Sequence, residues 1–125
     1  MRFLSMIRAD ETTGQAPSEQ LIADMGQLIA ELTRSGQLVS TAGLRPSAEG
    51  TRVRLHRGGL LSTVDGPFTE TKEVIAGFAI FEAPSREAAL ALTHRFLKLH
   101  GTDWDIECEV RQLDAPGCGS APVNV

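Results

Sequence analysis

The sequence predicts an α+β fold of the ferredoxin-like, split β-α-β kind, with an inserted hairpin. Three observations lead to it. The 125 residues give room for one domain. At 42% apolar and 22% charged, the composition is that of a globular protein with a core. The hydrophobic pattern along the chain changes period in the order strand, helix, strand, hairpin, long strand, helix, strand.

Phe3, Leu4 and Ile7 make 2–8 a first strand, closed by the polar, Gly-containing stretch from Asp10 to Ser18. Ser18 is a natural N-cap. Behind it Leu21, Ile22, Met25, Leu28, Ile29 and Leu32 recur at helical spacing up to Gly36, a stripe that reads as core. Leu38 to Leu44 reads as a second strand, stopped by Pro46. Thr51 to His56 and Leu60 to Thr63 then flank Arg57-Gly58-Gly59 as a hairpin, with Arg52, Arg54 and His56 on one face. The apolar run 74–81 suits a strand buried on both faces, and Gly77 in its middle predicts close packing against it. Ser85 caps a second helix carrying Ala88, Ala89, Leu92, Phe96 and Leu97, which stops at Gly101. Trp104 to Leu113 alternates as a last strand, so one domain spans 1–113 and a flexible tail spans 114–125.

Two helices cover only one face of such a sheet. The two-sided apolar strand therefore predicts a homodimer packed sheet to sheet. The alternatives are that the tail covers this face or that a few apolar groups stay exposed.

Composition narrows the function classes. With 12 Lys and Arg against 16 Asp and Glu, the chain carries a formal −4 and offers phosphate backbones no electrostatic reward, which speaks against direct nucleic-acid binding. Trp104, five Phe and no Tyr are few residues from which to build a base-stacking platform. There is no membrane-length apolar run and no N-terminal targeting pattern, so the expected location is cytoplasmic. Cys108 and Cys118 are expected to be free thiols. His94 and His100 are six apart, which is not the spacing of a helical metal pair, and no metal or other cofactor is expected. No P-loop, dinucleotide fingerprint or serine elbow is present.

The segment Asp65-Gly66-Pro67-Phe68-Thr69-Glu70-Thr71-Lys72-Glu73 concentrates unusual local chemistry. Asp65 suits a turn that Gly66 and Pro67 stiffen, and Phe68 can plug an apolar surface. Two readings stand side by side. Asp65, with Glu70, Lys72 or Glu73 nearby, lines a polar pocket as proton acceptor or ligand anchor. Alternatively the same residues make an Asx-type turn whose salt bridges hold a corner in register. His56 beside Arg52 and Arg54 likewise reads either as an anion-binding group or as part of a solvated basic face.

This nine-residue stretch, followed by Gly77 and by Ser85-Arg86-Glu87-Ala88, resembles the DGPF (DGPFAETKE) family of the YCII-related superfamily, with Thr69 where the family name carries Ala. The resemblance extends loosely from Met1 to about Leu113. It implies a dimeric α/β-barrel of ferredoxin-like subunits, bacterial and cytosolic, often encoded beside extracytoplasmic-function sigma factors. Some members of the superfamily carry a His and Asp pair in a pocket and resemble small lactone isomerases. By motif position Asp65 is the matching acid here, while no His lies in the first strand or helix.

Two functions compete, beside a third reading of the chain as a purely structural dimer. In the first, the chain binds a small acidic molecule as a cofactor-free lyase or isomerase. Asp65 then moves a proton, Arg8, Arg54 or Lys72 holds the acid, and His56, Glu70 and Glu73 complete the site. In the second, it is a non-catalytic accessory module associated with a sigma factor.

Overall fold

The computed structural model describes residues 1–68 and 73–114. Four strands form an antiparallel sheet: β1 (Arg2–Asp10), β2 (Leu38–Gly43), β5 (Glu73–Glu82) and β6 (Glu107–Gln112), in the order β2-β5-β1-β6. Helices α1 (Glu19–Arg34) and α2 (Arg86–Lys98) connect β1 to β2 and β5 to β6. Between β2 and β5 the chain makes a separate two-stranded hairpin, β3 (Thr51–Leu55) and β4 (Leu61–Asp65). This is a mixed α+β architecture, compatible with the ferredoxin-like arrangement expected from the element order.

Both helices begin where a serine side chain replaces a missing backbone partner. The Ser18 hydroxyl accepts from the Leu21 N–H at 3.0 Å, and the Ser85 hydroxyl from the Ala88 N–H at 3.1 Å. The expected stripe of α1 is buried at Leu21, Leu28 and Leu32, while Ile22 turns out to solvent at 59% exposure. One apolar position in the stripe thus lies beyond the arc that meets the sheet.

Strand register sorts side chains into rows. On the helix-covered face Leu38, Phe81 and Phe3 lie side by side, then Thr41, Ala79, Ser5 and Val110, then Gly43, Gly77, Ile7 and Cys108. The first row is the solid one. Phe81 packs with Leu28, Leu32, Leu38, Leu92 and Phe96, its ring 5.8 Å from that of Phe96, and Phe3 packs under Ala89 of α2. Each such ring removed from water contributes about 2–3 kcal/mol.

The opposite face carries Leu4, Met6, Phe78 and Ile80, all half-buried, and Ile75, which is 43% exposed. The expectation that β5 is buried on both faces therefore holds within the chain for the helix side alone. The second face is apolar, and among the described residues no helix lies over it.

Several strand limits differ from the sequence reading, β4 among them, which ends at Asp65 rather than Thr63. β1 runs on to Asp10, whose carboxylate accepts from the Thr12 N–H and hydroxyl to start a short 3-10 turn. β6 begins at Glu107 rather than at Trp104, because the Trp104 ring turns edge-on to His100 at 5.7 Å instead of continuing the strand. The chain start is pinned: the N-terminal ammonium and Arg2 both donate to Glu82, at 2.7 and 3.1 Å, and hold its carboxyl below the usual carboxylate range. The tail expected beyond 114 lies outside the described residues.

Candidate functional site

A cavity of about 340 Å3 opens between the helix-covered face of the sheet and the two helices. Its origin is visible in the rows. Where the first row fills the space with Phe3, Phe81 and Leu38, the next two place Ser5, Thr41, Ala79, Gly43 and Gly77 beneath the helices. Missing side-chain volume is what leaves the hollow. The close packing predicted for Gly77 is present, since a Cβ there would come 2.9 Å from the Ala42 carbonyl oxygen. Met25, Ile29, Phe96 and Leu97 form the apolar roof, and the volume is that of a small-molecule site.

The polar groups on the wall are few and placed. Thr93 and Ser5 are 5% and 4% exposed, their hydroxyl oxygens 3.4 Å apart, with Thr93 donating to the Ala89 carbonyl at 3.1 Å. The Thr41 hydroxyl donates to the Phe78 carbonyl at 2.8 Å. Burial pushes the Cys108 thiol up from its ordinary value, more than its contact with Ser5 brings it down, so this thiol is a neutral, weakly reactive wall group. It is also a free thiol, as expected.

His100 is the chemically distinctive member of the wall. Its Nδ1 faces two carbonyl oxygens, those of Phe96 at 3.0 Å and Leu97 at 3.3 Å, and acceptors on that side require Nδ1 to carry the proton. In the neutral ring Nε2 is then left as an acceptor. The Trp104 ring packs T-shaped against the imidazole, the two planes inclined at 77°. The sequence reading weighed His100 only as a metal ligand beside His94. The signal that could have found it is the run of small residues in three strands, which marks a void beneath the end of α2.

The residues singled out from the sequence fall elsewhere. Asp65 ends β4 in an exposed position and accepts from the Thr51 hydroxyl at 2.9 Å, across the hairpin's end. The following Gly66 donates its N–H to the Gly50 carbonyl at 2.8 Å, and a Cβ there would collide with the Ser47 carbonyl. The Gly66–Pro67 peptide is cis. Phe68 lies under the Arg52 guanidinium, 3.8 Å from the ring centre. Arg54 and His56 are on β3 and at its end, with His56 Nε2 2.8 Å from the Ser62 hydroxyl. Arg8 is on the open sheet face, paired with Glu109 at 3.3 Å, and Glu73 starts β5 on that same face. Glu70 and Lys72 lie outside the described residues.

A shallow groove of about 740 Å3 runs along the hairpin, lined by Arg52, Arg54, Ser62, Val64, Pro67 and Phe68 among others. Arg52 and Arg54 line it, whereas Asp65 is not among its lining residues and by its register with Thr51 lies on the other side of the ribbon. Among the described residues no three His, Cys, Asp or Glu side chains gather where they could hold a metal ion, and no helix is long and apolar enough to cross a membrane.

Comparison with known proteins agrees with this architecture. The chain is similar to an uncharacterised protein of Rhizobium meliloti (strain 1021), at 27% identity over 99 residues, 79% of each chain. The YCII-related domain matches residues 1–96, from β1 through most of α2. With the sheet order, the two helices and the match over most of its length, the chain belongs to the YCII-related domain family.

Proposed function

We propose that this protein binds a small, uncharged, largely apolar molecule in the cavity beneath its helices, with His100 Nε2 accepting a hydrogen bond from the ligand. The observation that carries this reading is the orientation of His100, whose Nδ1 is committed to two backbone carbonyls and whose Nε2 is thereby left to accept. No Arg, Lys, Asp or Glu is among the residues lining the cavity, so a charged ligand would be desolvated there without a counter-charge. The working unit is a homodimer joined through the open sheet face, forming the barrel expected of the DGPF branch of the family. The motif from Asp65 to Glu73 supports that branch.

A thermal-shift comparison tests the binding reading. Paired probes that differ by a hydroxyl, phenol against toluene and 2-naphthol against naphthalene, are expected to raise the melting temperature, the hydroxylated member more. In His100→Phe the advantage of the hydroxyl is expected to disappear while the apolar probes still bind. No shift with any of the four would overturn it.

Turnover of a small acidic substrate, as a cofactor-free lyase or isomerase with Asp65 as proton acceptor, is the second reading. The hairpin groove, which Arg52 and Arg54 line with positive charge, is the observation that favours an acidic ligand. Benzoate in the same screen, against wild type and Asp65→Asn, separates the two sites.

A further inference from the structure

The hairpin is the least supported part of the fold. Its strands pair with each other and pack on no other strand or helix to any substantial extent. An isolated two-stranded ribbon is marginal in water unless a third strand or another surface covers it. This one also presents Val53, Leu55, Leu60, Leu61 and Val64 at 66%, 69%, 72%, 64% and 55% exposure. Register puts Val53, Leu55 and Leu61 on one side of the ribbon, with Leu60 at the turn and Val64 on the side of Arg52 and Arg54. Without Val64 they expose on the order of 400 Å2 of apolar surface, an amount that marks an interaction site rather than ordinary scatter.

Its charge points to the occupant. Arg52, Arg54 and Arg57 against Asp65 give the hairpin a formal +2, so the rest of a chain of net −4 carries −6. The acids are not evenly spread. Cross-strand register places Asp10, Glu73, Glu107 and Glu109 together at one end of the open sheet face, around Arg8. Beside them lie Ile75, Phe78 and Met6. One molecule thus carries an apolar, basic ribbon and an apolar, acidic face, the self-complementary pair that a two-fold dimer uses twice.

We propose that the hairpin is an arm that docks on the acidic end of the open sheet face of a second copy of this chain. The ribbon's apolar side chains bed on Ile75 and Phe78 of the second copy, and Arg54 and Arg57 reach over its edge to Glu73 and Glu107. Long arginine stems suit such a reach. Two reciprocal arms bury roughly 800 Å2 on the arms themselves and a comparable area on the faces that receive them, above the lower bound of about 1,000 Å2 for a specific interface. The inference rests on the homodimer reading above and adds to it the element that holds the dimer.

Sedimentation velocity on the full chain tests it, using Arg54→Glu with Arg57→Glu in one variant and Glu73→Lys with Glu107→Lys in another. Each variant alone is expected to dimerise at least tenfold more weakly than wild type. An equimolar mixture is expected to recover dimer, because in the mixed pair both contacts then join opposite charges, the acidic arm on the basic face and the basic arm on the acidic face. Recovery on mixing cannot come from chains that failed to fold. Variants that dimerise as well as wild type, or a mixture that stays as weak as its components, overturn the arm while leaving a dimer joined by the sheets alone. A wild-type chain that sediments as a monomer overturns both.

Discussion

Cys108 shows how position rather than residue type sets chemistry. It faces the cavity on β6, beside Ile7, and burial raises its thiol above the ordinary 9.0. Because the folded value is the higher one, the contribution of this group to stability is complete below pH 9 and declines as pH rises toward the folded value. At pH 8 iodoacetamide is expected to label Cys108 at least tenfold more slowly in the native protein than in urea, followed by peptide mass mapping. Equal rates would show an open site. The sequence identified a thiol on an alternating strand but not its depth, because depth depends on α2 lying over β6. For Asp65 the observed partner is the Thr51 hydroxyl across the hairpin, a bond that neither the turn reading nor the proton-acceptor reading anticipated.

Helix starts were legible because capping is local: Ser18 and Ser85 each act on a backbone N–H three residues on. The corner at Gly66 was legible only in part. Its stiffness follows from Pro67, but the need for glycine comes from the Ser47 carbonyl of a distant turn. Two alanine substitutions are therefore expected to have opposite signs. Gly66→Ala forces a Cβ against that carbonyl and is expected to cost about 1–3 kcal/mol. Gly26→Ala, in the interior of α1 with nothing within 4 Å of its added Cβ, is expected to stabilise by about 0.5–1 kcal/mol. Urea unfolding of both variants checks the pair, and equal signs would contradict this account of the corner.

For the whole molecule, the sheet has one face filled by helices and one left apolar. Ile80, opposite Leu4 and Ser40, sits in the middle of the open face. In the proposed dimer this face is covered, and Ile80→Lys is expected to yield a folded monomer, read by light scattering together with circular dichroism. A dimer that survives a lysine there would place the interface elsewhere. The element order and the amphipathic faces were set by the sequence by itself, because helical and strand periodicity are properties of consecutive residues. So was the excess of apolar character on β5. Tertiary structure alone decided that β5 lies between β2 and β1, and that the small residues of three separate strands fall in adjoining rows. It also decided that His100 overlooks the hollow they leave. Cross-strand neighbours are far apart in sequence, and a void is the difference between volumes that only packing brings together.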